Sequence, residues 1–329
     1  MILAGDIGGT NTRLALFEKI EQGFLTIAEE KFSSSAYQSL SKIVQKFLGN
    51  KSHLVNCACF GVAGPVQGKT AKITNLTWIA DTFSIAELLG HDRIGLINDL
   101  EANAYGLNEL NDNDFLILNK GESNPTGNRA IISAGTGIGE AGIFNKDGEL
   151  RPFATESGHA DFAPRNELEI ELLRYLLTKF ERVSLERVVS GLGLQNIYDF
   201  LRDTKRAEEP TWLGEEIKKS SNVGAVISKN GLEGKSAICE QTLDIFVSLY
   251  GAEAGNMALR LLATGGVYIG GGIAPKILPK LKEKPFLDSF FSKGRMRELL
   301  ELIPVRVILN DKAALLGAAH FAYYELQDY

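Results

Sequence analysis

The residues able to do chemistry in this chain gather in glycine-rich turns and a few acids beside them. Asp6-Ile7-Gly8-Gly9-Thr10-Asn11 closes a short apolar run, Ile2 to Ile7. Glycines in a tight turn expose backbone N–H groups that suit phosphate oxygens. Thr10 and Asn11 add side-chain donors. Asp6, at the end of the run, suits Mg2+ held through water, because that ion keeps much of its hydration shell. The competing reading is a plain hairpin turn with an incidental acid. Gly135-Thr136-Gly137-Ile138-Gly139 is a second candidate phosphate loop. It is weak alone and more specific when paired with the first. Gly270-Gly271-Gly272 follows a short strand pattern and precedes Pro275. Glycines there would let an adenine ring lie against the backbone, or would simply turn a strand into a helix.

A second group of residues suits an acceptor rich in hydroxyls. Asn98-Asp99 follows the apolar stretch Arg93 to Ile97 and opens a helical pattern, at the strand end where α/β sheets place ligands. Asp99 could accept the proton of an attacking hydroxyl, or could serve only as a helix cap. Glu156-Ser157-Gly158-His159 sets a carboxylate and an imidazole three residues apart, within reach of one polar ligand. Glu186 read alone is a solvated helix charge; read with the others it adds an acceptor. Gly64-Pro65-Val66-Gln67-Gly68-Lys69-Thr70 imitates a P-loop but is one residue short. The alternating Thr70 to Thr74 that follows predicts a turn between strands, whereas a P-loop opens a helix.

These residues need elements to hold them. Strand patterns cover Ile2–Ile7, Leu14–Phe17, Phe24–Phe32, His53–Val62 and Arg93–Ile97. Helical spacing covers Leu40 to Phe47 and Glu101 to Leu110. A second block begins with strands at Phe115–Leu118 and Ala130–Ile132. An amphipathic helix over Leu168 to Phe180 and further helical patterns to about residue 262 follow. Strands at Val267–Ile269 and Val305–Leu309 and a closing helix, Lys312 to Leu326, complete it. Strand, glycine turn and returning strand occur at Ile2–Phe17 and again at Ile131–Phe144. This is a weak internal repeat with one hairpin in each block.

Composition bounds the reading. The 329 residues are enough for roughly two domains. With 44% hydrophobic and 23% charged residues the balance is that of a globular protein, and a net charge of -6 implies no basic face for nucleic acid. No apolar run reaches the roughly 20 residues of a membrane span, and the N-terminus reads as a buried strand and not a signal peptide. Cys57, Cys59 and Cys239 are too few and too odd in number for a disulfide framework, and no zinc partners lie at suitable spacing. A reduced, cytoplasmic protein is expected.

Taken in order, GDIGGTNTRLALFE, TNLTW, INDLEANAYG, SAGTGIGEAGIF, ESGHADFAP, ERVVSGLGLQNIY and GGVYIGGGIAPK resemble the bacterial glucokinase family, within the sugar kinase, actin and heat-shock chaperone ATPase superfamily. The resemblance spans essentially the whole chain. It implies an α/β fold of two domains, the actin-like ATPase (ribonuclease H-like) fold, with the active site in the interdomain cleft. The small domain would be 1–107 plus 310–329 and the large one 108–309. It implies phosphorylation of glucose to glucose 6-phosphate by ATP, feeding glycolysis, with Asp99 as general base. It implies that Asn98, Glu156, His159, Glu186 and Asn75 contact the hexose. Asp6, Gly8, Gly9, Thr10, Asn11, Gly135, Thr136 and Gly137 would cradle Mg-ATP phosphates, with Gly270, Gly271 and Gly272 near the adenosine. A homodimer is a family-level expectation. The neighbouring repressor and sugar kinase (ROK) group carries a cysteine-rich zinc loop after its ESGH-like segment; here Ala160-Asp161-Phe162-Ala163 follows, so no structural zinc is expected. With the first strand at the N-terminus, no DNA-binding extension is expected either. The alternatives are a kinase of another hexose, a non-catalytic sugar sensor, and an actin-like ATPase.

Overall fold

Strand β1 (Ile2–Ile7) is apolar on both faces because its sheet is covered on both sides in a computed structural model of the chain. Leu3 and Ile7 enter one core with Leu14, Phe60 and Val62. Ile2 and Ala4 enter another with Phe17, Cys57, Cys59 and Ala318. Each such buried large side chain contributes about 1.5–3 kcal/mol. The structure describes every residue except Thr74, Asn75, Ser123 and Tyr329. The chain groups into two units, Met1–Asp114 with Arg151–Ala154 and Asn310–Tyr329, and Phe115–Leu150 with Thr155–Leu309.

In the first unit, β2 (Asn11–Lys19) returns antiparallel to β1, and β3 (Phe24–Ser33) to β2. Helix α1 (Leu40–Leu48), capped by Ser39, buries Leu40, Ile43, Val44 and Leu48. Strand β4 (Cys57–Val62) runs parallel to β1. Short strands β5 (Val66–Gln67), β6 (Thr70–Lys72) and β7 (Ile79–Asp81) form a side sheet, so the P-loop-like stretch is a turn between strands. Helix α2 (Thr82–Leu89) leads to β8 (Ile94–Asn98), parallel to β4, and to α3 (Asp99–Gly106). The sheet order is β3-β2-β1-β4-β8.

In the second unit, β9 (Phe115–Asn119), β10 (Arg129–Ala134), β11 (Ile138–Lys146) and β12 (Glu149–Thr155) are followed by helices α4 (Glu167–Leu177), α5 (Gly191–Asp203), α6 (Thr211–Lys219), α7 (Val223–Leu232) and α8 (Ala237–Leu261). Then come β13 (Gly266–Gly270), α9 (Leu278–Leu281), α10 (Lys284–Phe291), α11 (Arg297–Glu301) and β14 (Val305–Ile308). The order is β12-β11-β10-β13-β14-β9. As in the first unit, an antiparallel hairpin (β10–β11) is extended by a parallel strand on the far side of its first member (β13). Helix α12 (Ala313–Tyr324) belongs to the first unit, where Ala318 and Ala322 join the core over β1 and β4.

Several boundaries differ from the sequence expectation for local reasons. Residues 49–54 form a 3-10 turn, because Gly49 leaves α1 at φ +54°, so the strand starts at Cys57 and not at His53. Helix α3 starts two residues before Glu101, because Asn98 caps it, and yields to a 3-10 turn at Leu107. The amphipathic helix ends at Leu177, short of Phe180. After Gly272 the backbone makes a 3-10 turn, Ala274–Ile277, before α9. All three cysteines are free and buried. Among the described residues no helix is long and apolar enough to cross a membrane.

Candidate active site

The first unit assembles its acids at the C-terminal ends of parallel strands. Asp6 stands opposite Arg13 on β2 and beside Gly61 on β4. Gly61 is the spacer. A Cβ there would meet the Ala102 Cβ at 2.7 Å and the Asp99 Cα at 3.7 Å, so its absence lets α3 bring Asp99 up to the strand that flanks Asp6. Asp99 is the first residue of α3 and Asn98 its cap. The Asn98 Oδ1 accepts the Leu100 N–H at 2.9 Å, and the Glu101 carboxylate accepts the Asn98 N–H at 3.4 Å. Asn98 and not Asp99 is therefore the N-cap, although the Asp99 Oδ1 also accepts the Leu100 N–H, at 3.0 Å. The Asn98 amide also donates to the Gly64 carbonyl at 3.4 Å.

Burial lifts the Asp6 carboxyl above its ordinary value, and the facing Arg13 charge works against that lift. Arg13 is itself held: its Nε donates to Glu29 at 2.5 Å and its Nη1 to Asp311 at 3.1 Å, while Lys312 pairs with Glu29 at 2.7 Å. Burial would raise the Glu29 carboxyl, but Lys312 and Arg13 hold it below the usual range. The Gly8–Thr10 turn is supported from behind. The Gly8 N–H donates to the Asn11 carbonyl at 2.9 Å, the Ser34 N–H to the Thr10 carbonyl at 3.0 Å, and the Ser34 hydroxyl to the Gly8 carbonyl at 2.7 Å. With that proton spent, the 3.0 Å contact between Thr12 and Ser34 has Thr12 as donor.

The second unit brings the remaining candidates around the start of β11. The turn Gly135–Gly137 joins β10 to β11, and the Gly135 N–H closes it on the Gly137 carbonyl at 2.8 Å. Glu186, in a 3-10 turn, accepts the Ile138 N–H at 3.3 Å. Gly158, between Glu156 and His159, lies so close to the Ile138 carbonyl that a Cβ would approach it to 2.3 Å. Glu156 and His159 are exposed, with Nε2 and Oε2 4.0 Å apart. Ile138 thus has Glu186 against its N–H and Gly158, which lies between Glu156 and His159, against its C=O. The third glycine turn lies on the neighbouring strand. Gly271, at φ +82°, would place a Cβ 2.4 Å from the Ala134 carbonyl, and the Ile273 N–H donates to that carbonyl at 3.1 Å. At Gly135 and Gly272, by contrast, a Cβ would meet nothing within 4 Å. The fold makes no steric demand for glycine at either position, and close approach by a ligand would.

Asn75 lies outside the described residues. Among the described residues no group of three or more His, Cys, Asp or Glu could hold a metal ion. A metal at Asp6 would therefore draw most of its ligands from water and phosphate. The desolvated Asp6 carboxylate fits a cation of that kind.

Four supporting residues escaped the sequence reading. Arg13 could have been found by folding the first hairpin on its glycine turn, which sets it opposite Asp6. Ser34 is brought by β3 and carries no local signal. Tyr250 on α8 accepts the Ala134 N–H at 3.2 Å and faces the Ile132 and Gly270 carbonyls, beneath both glycine turns. Glu140 is fully buried, and the inward register of β11 would have shown it. Burial, then the Glu253 charge, push its carboxyl up to about 8, against the opposing Arg260 charge and Ser157 hydroxyl, and neither carboxylate oxygen has a hydrogen-bond partner of good geometry.

Comparison with known proteins bears on the family and the fold. The glucokinase family model matches residues 3–325. A glucokinase of Nostoc punctiforme is 48% identical, with 97% of this chain and 98% of that protein covered. The crystal structure of a glucokinase from an Antarctic psychrotroph superposes with a TM-score of 0.84 at 30% identity, covering 98% of both chains. A ROK family glucokinase from Streptomyces griseus, solved in complex with glucose and AMPPNP, shares the fold at a TM-score of 0.67 and 20% identity, over 98% of this chain and 99% of that one.

Proposed function

The chain belongs to the glucokinase family, and from that premise we propose how its residues divide the work of phosphorylating a hexose with ATP. The carrying observation is Asp99, set as the first residue of α3 beside Gly61 and leaving the cap to Asn98. Asp99 accepts the proton of the hexose 6-hydroxyl as that oxygen bonds to the γ-phosphorus. The bond from phosphorus to the β–γ bridging oxygen breaks, and ADP leaves. Such a transfer depends mainly on positioning and charge stabilisation.

Asn98, Glu156, His159 and Glu186 orient the hydroxyls of the sugar, with acceptors and donors matched to a polyol. Gly8 and Gly135 spend their own N–H groups closing the two turns, so backbone N–H groups of Gly9, Thr10, Thr136 and Gly137, helped by the Thr10 and Asn11 side chains, hold phosphate oxygens. Gly270, Gly271 and Gly272 lie against the adenosine, and the open space at Gly272 supports that reading. Asp6 holds Mg2+ through water, and that ion supplies charge neutralisation on the phosphates. The proposal includes a homodimer and a cytoplasmic location; the free, buried thiols fit a reducing compartment.

The test is a coupled ADP-release assay with Mg-ATP across glucose, mannose, fructose, galactose and N-acetylglucosamine, with a control lacking sugar. Fast turnover on glucose is expected. ADP release that ignores the sugar would sink this division of roles.

A further inference from the structure

Glu186 is tied to the phosphate turn more tightly than a sugar contact requires. Its carboxylate accepts the Ile138 N–H, the first donor after Gly137. A Cβ on Gly137 would lie 2.2 Å from the Glu186 Oε2, so glycine at this position makes room for the carboxylate. Gly137 is not among the positive-φ residues, which leaves space, and not backbone conformation, as the reason for glycine. The segment is anchored at its other end as well. The Ser190 hydroxyl donates to the Glu186 carbonyl at 2.6 Å and accepts the Gly193 N–H at 3.0 Å, while the Gly191 N–H donates to the Gly135 carbonyl at 2.8 Å. One short stretch, Glu186 to Gly191, therefore holds the turn at Gly135 and at Ile138.

We propose that Glu186 is a positioning residue that couples hexose binding to the phosphate turn, its carboxylate shared between the Ile138 N–H and a hexose hydroxyl. The inference rests on the reading above, in which Glu186 faces the hexose and Gly135–Gly137 takes phosphate. A carboxylate offers about four lone-pair sites, so it serves both partners at once. A hydroxyl donating to it fixes its rotamer, and with it the support under the turn. Coupling of this kind is reciprocal: whatever factor the hexose applies to nucleotide affinity, the nucleotide applies to hexose affinity.

The experiment is calorimetric titration of the full chain with glucose alone, and with AMPPNP in the absence and presence of saturating glucose. The variants are Gly137→Ala, Glu186→Ala and Glu186→Gln. In the wild type, glucose should tighten AMPPNP about fivefold or more, the lower end of ordinary coupling. Gly137→Ala pushes the carboxylate aside without altering it, and should weaken glucose binding measured without nucleotide by a similar factor. Glu186→Ala should weaken both ligands and erase the effect of one on the other. Glu186→Gln, which can still accept from Ile138, should restore most of the AMPPNP affinity. Glucose affinity in Gly137→Ala within about twofold of wild type, far below ordinary coupling, overturns the inference and leaves the hexose site standing. Wild-type glucose affinity in Glu186→Ala removes Glu186 from the hexose site itself. Should Gly137→Ala not fold, Glu186→Asp withdraws the carboxylate from Ile138 by one methylene and carries the same expectation.

Discussion

The turn after β1 and the turn after β10 join hairpins of the same pattern, yet different chemistry holds them. Hydroxyls stand behind the first: Thr12 donates to Ser34, and Ser34 donates to the Gly8 carbonyl. An acid and a base flank it, Asp6 facing Arg13. Behind the second is a carboxylate, Glu186, on the Ile138 N–H, and beneath it lies Tyr250. A second carboxylate, Glu140, is buried with no hydrogen-bond partner. Hydroxyl buttresses are neutral and fix a shape. A carboxylate buttress is charged and has acceptor sites to spare, so it responds to whatever else donates to it. On this contrast, and on the proposed division of roles, the first turn would be a fixed platform for phosphate and cation, and the second would respond to its ligands.

The largest effect that would sharpen the contrast concerns the acid on the fixed side. Asp99→Asn should lower kcat about 100- to 10,000-fold, the usual range for general-base catalysis, with KM values for both substrates moving far less. Near-normal turnover in the coupled assay would take the base away from the first unit.

Next comes Glu140, on the responsive side. Unfolded, its carboxyl ionises near 4.5; folded, it keeps its proton to about 8. Between those values the unfolded chain binds fewer protons, so stability is fully present below 4.5 and falls as pH rises through 8, by about 1.4 kcal/mol per unit. Glu140→Gln keeps the neutral shape and should flatten that fall, gaining most in melting temperature at the alkaline end. Melting curves that stay parallel across pH would mean that Glu140 is not buried neutral.

Helix α3 gives the third test. A methyl at Gly317 on α12 would lie 1.7 Å from the Ala102 carbonyl, and one at Gly106 would lie 2.1 Å from the Ala313 carbonyl. Gly317→Ala should destabilise by about 1–3 kcal/mol or more, the range for overpacking, and should lower activity by displacing Asp99. An unchanged urea midpoint would show that the two helices have room to separate at their crossing. Smallest is Ser34→Ala, worth about 1 kcal/mol for a lost buried hydrogen bond. It should raise the KM for ATP and leave glucose affinity unchanged. If glucose affinity falls with it, the two turns respond alike and the contrast fails.

Much of this was legible in the chain. The glycine turns flanked by apolar runs marked both hairpins, and the missing residue and the alternating Thr70 to Thr74 exposed the false P-loop, because each signal is local. Asn98-Asp99 was legible as an acid at a strand end, but which of the two was the cap depended on the entry angle of α3. That angle is set by Gly61 and Ala102, far apart in sequence. The last two residues of the 3-10 turn at 49–54 were absorbed into a strand because Leu54 and Val55 lead into the apolar run, while the positive φ of Gly49 shows only in three dimensions. Glu186 looked like a solvated charge because its partner, Ile138, comes from another strand. Asn75, read from TNLTW, lies outside the described residues.

The close crossing of α3 and α12 also sets a schedule. The helix that begins with Asp99 is emitted early by the ribosome, but the glycine surface that seats it, at Gly317, is translated only after the second unit's entire sequence. The nascent chain therefore carries Asp99, the proposed base, on an unfinished half through most of synthesis. A ribosome that stalls before α12 would leave a fragment with intact motifs and an open core.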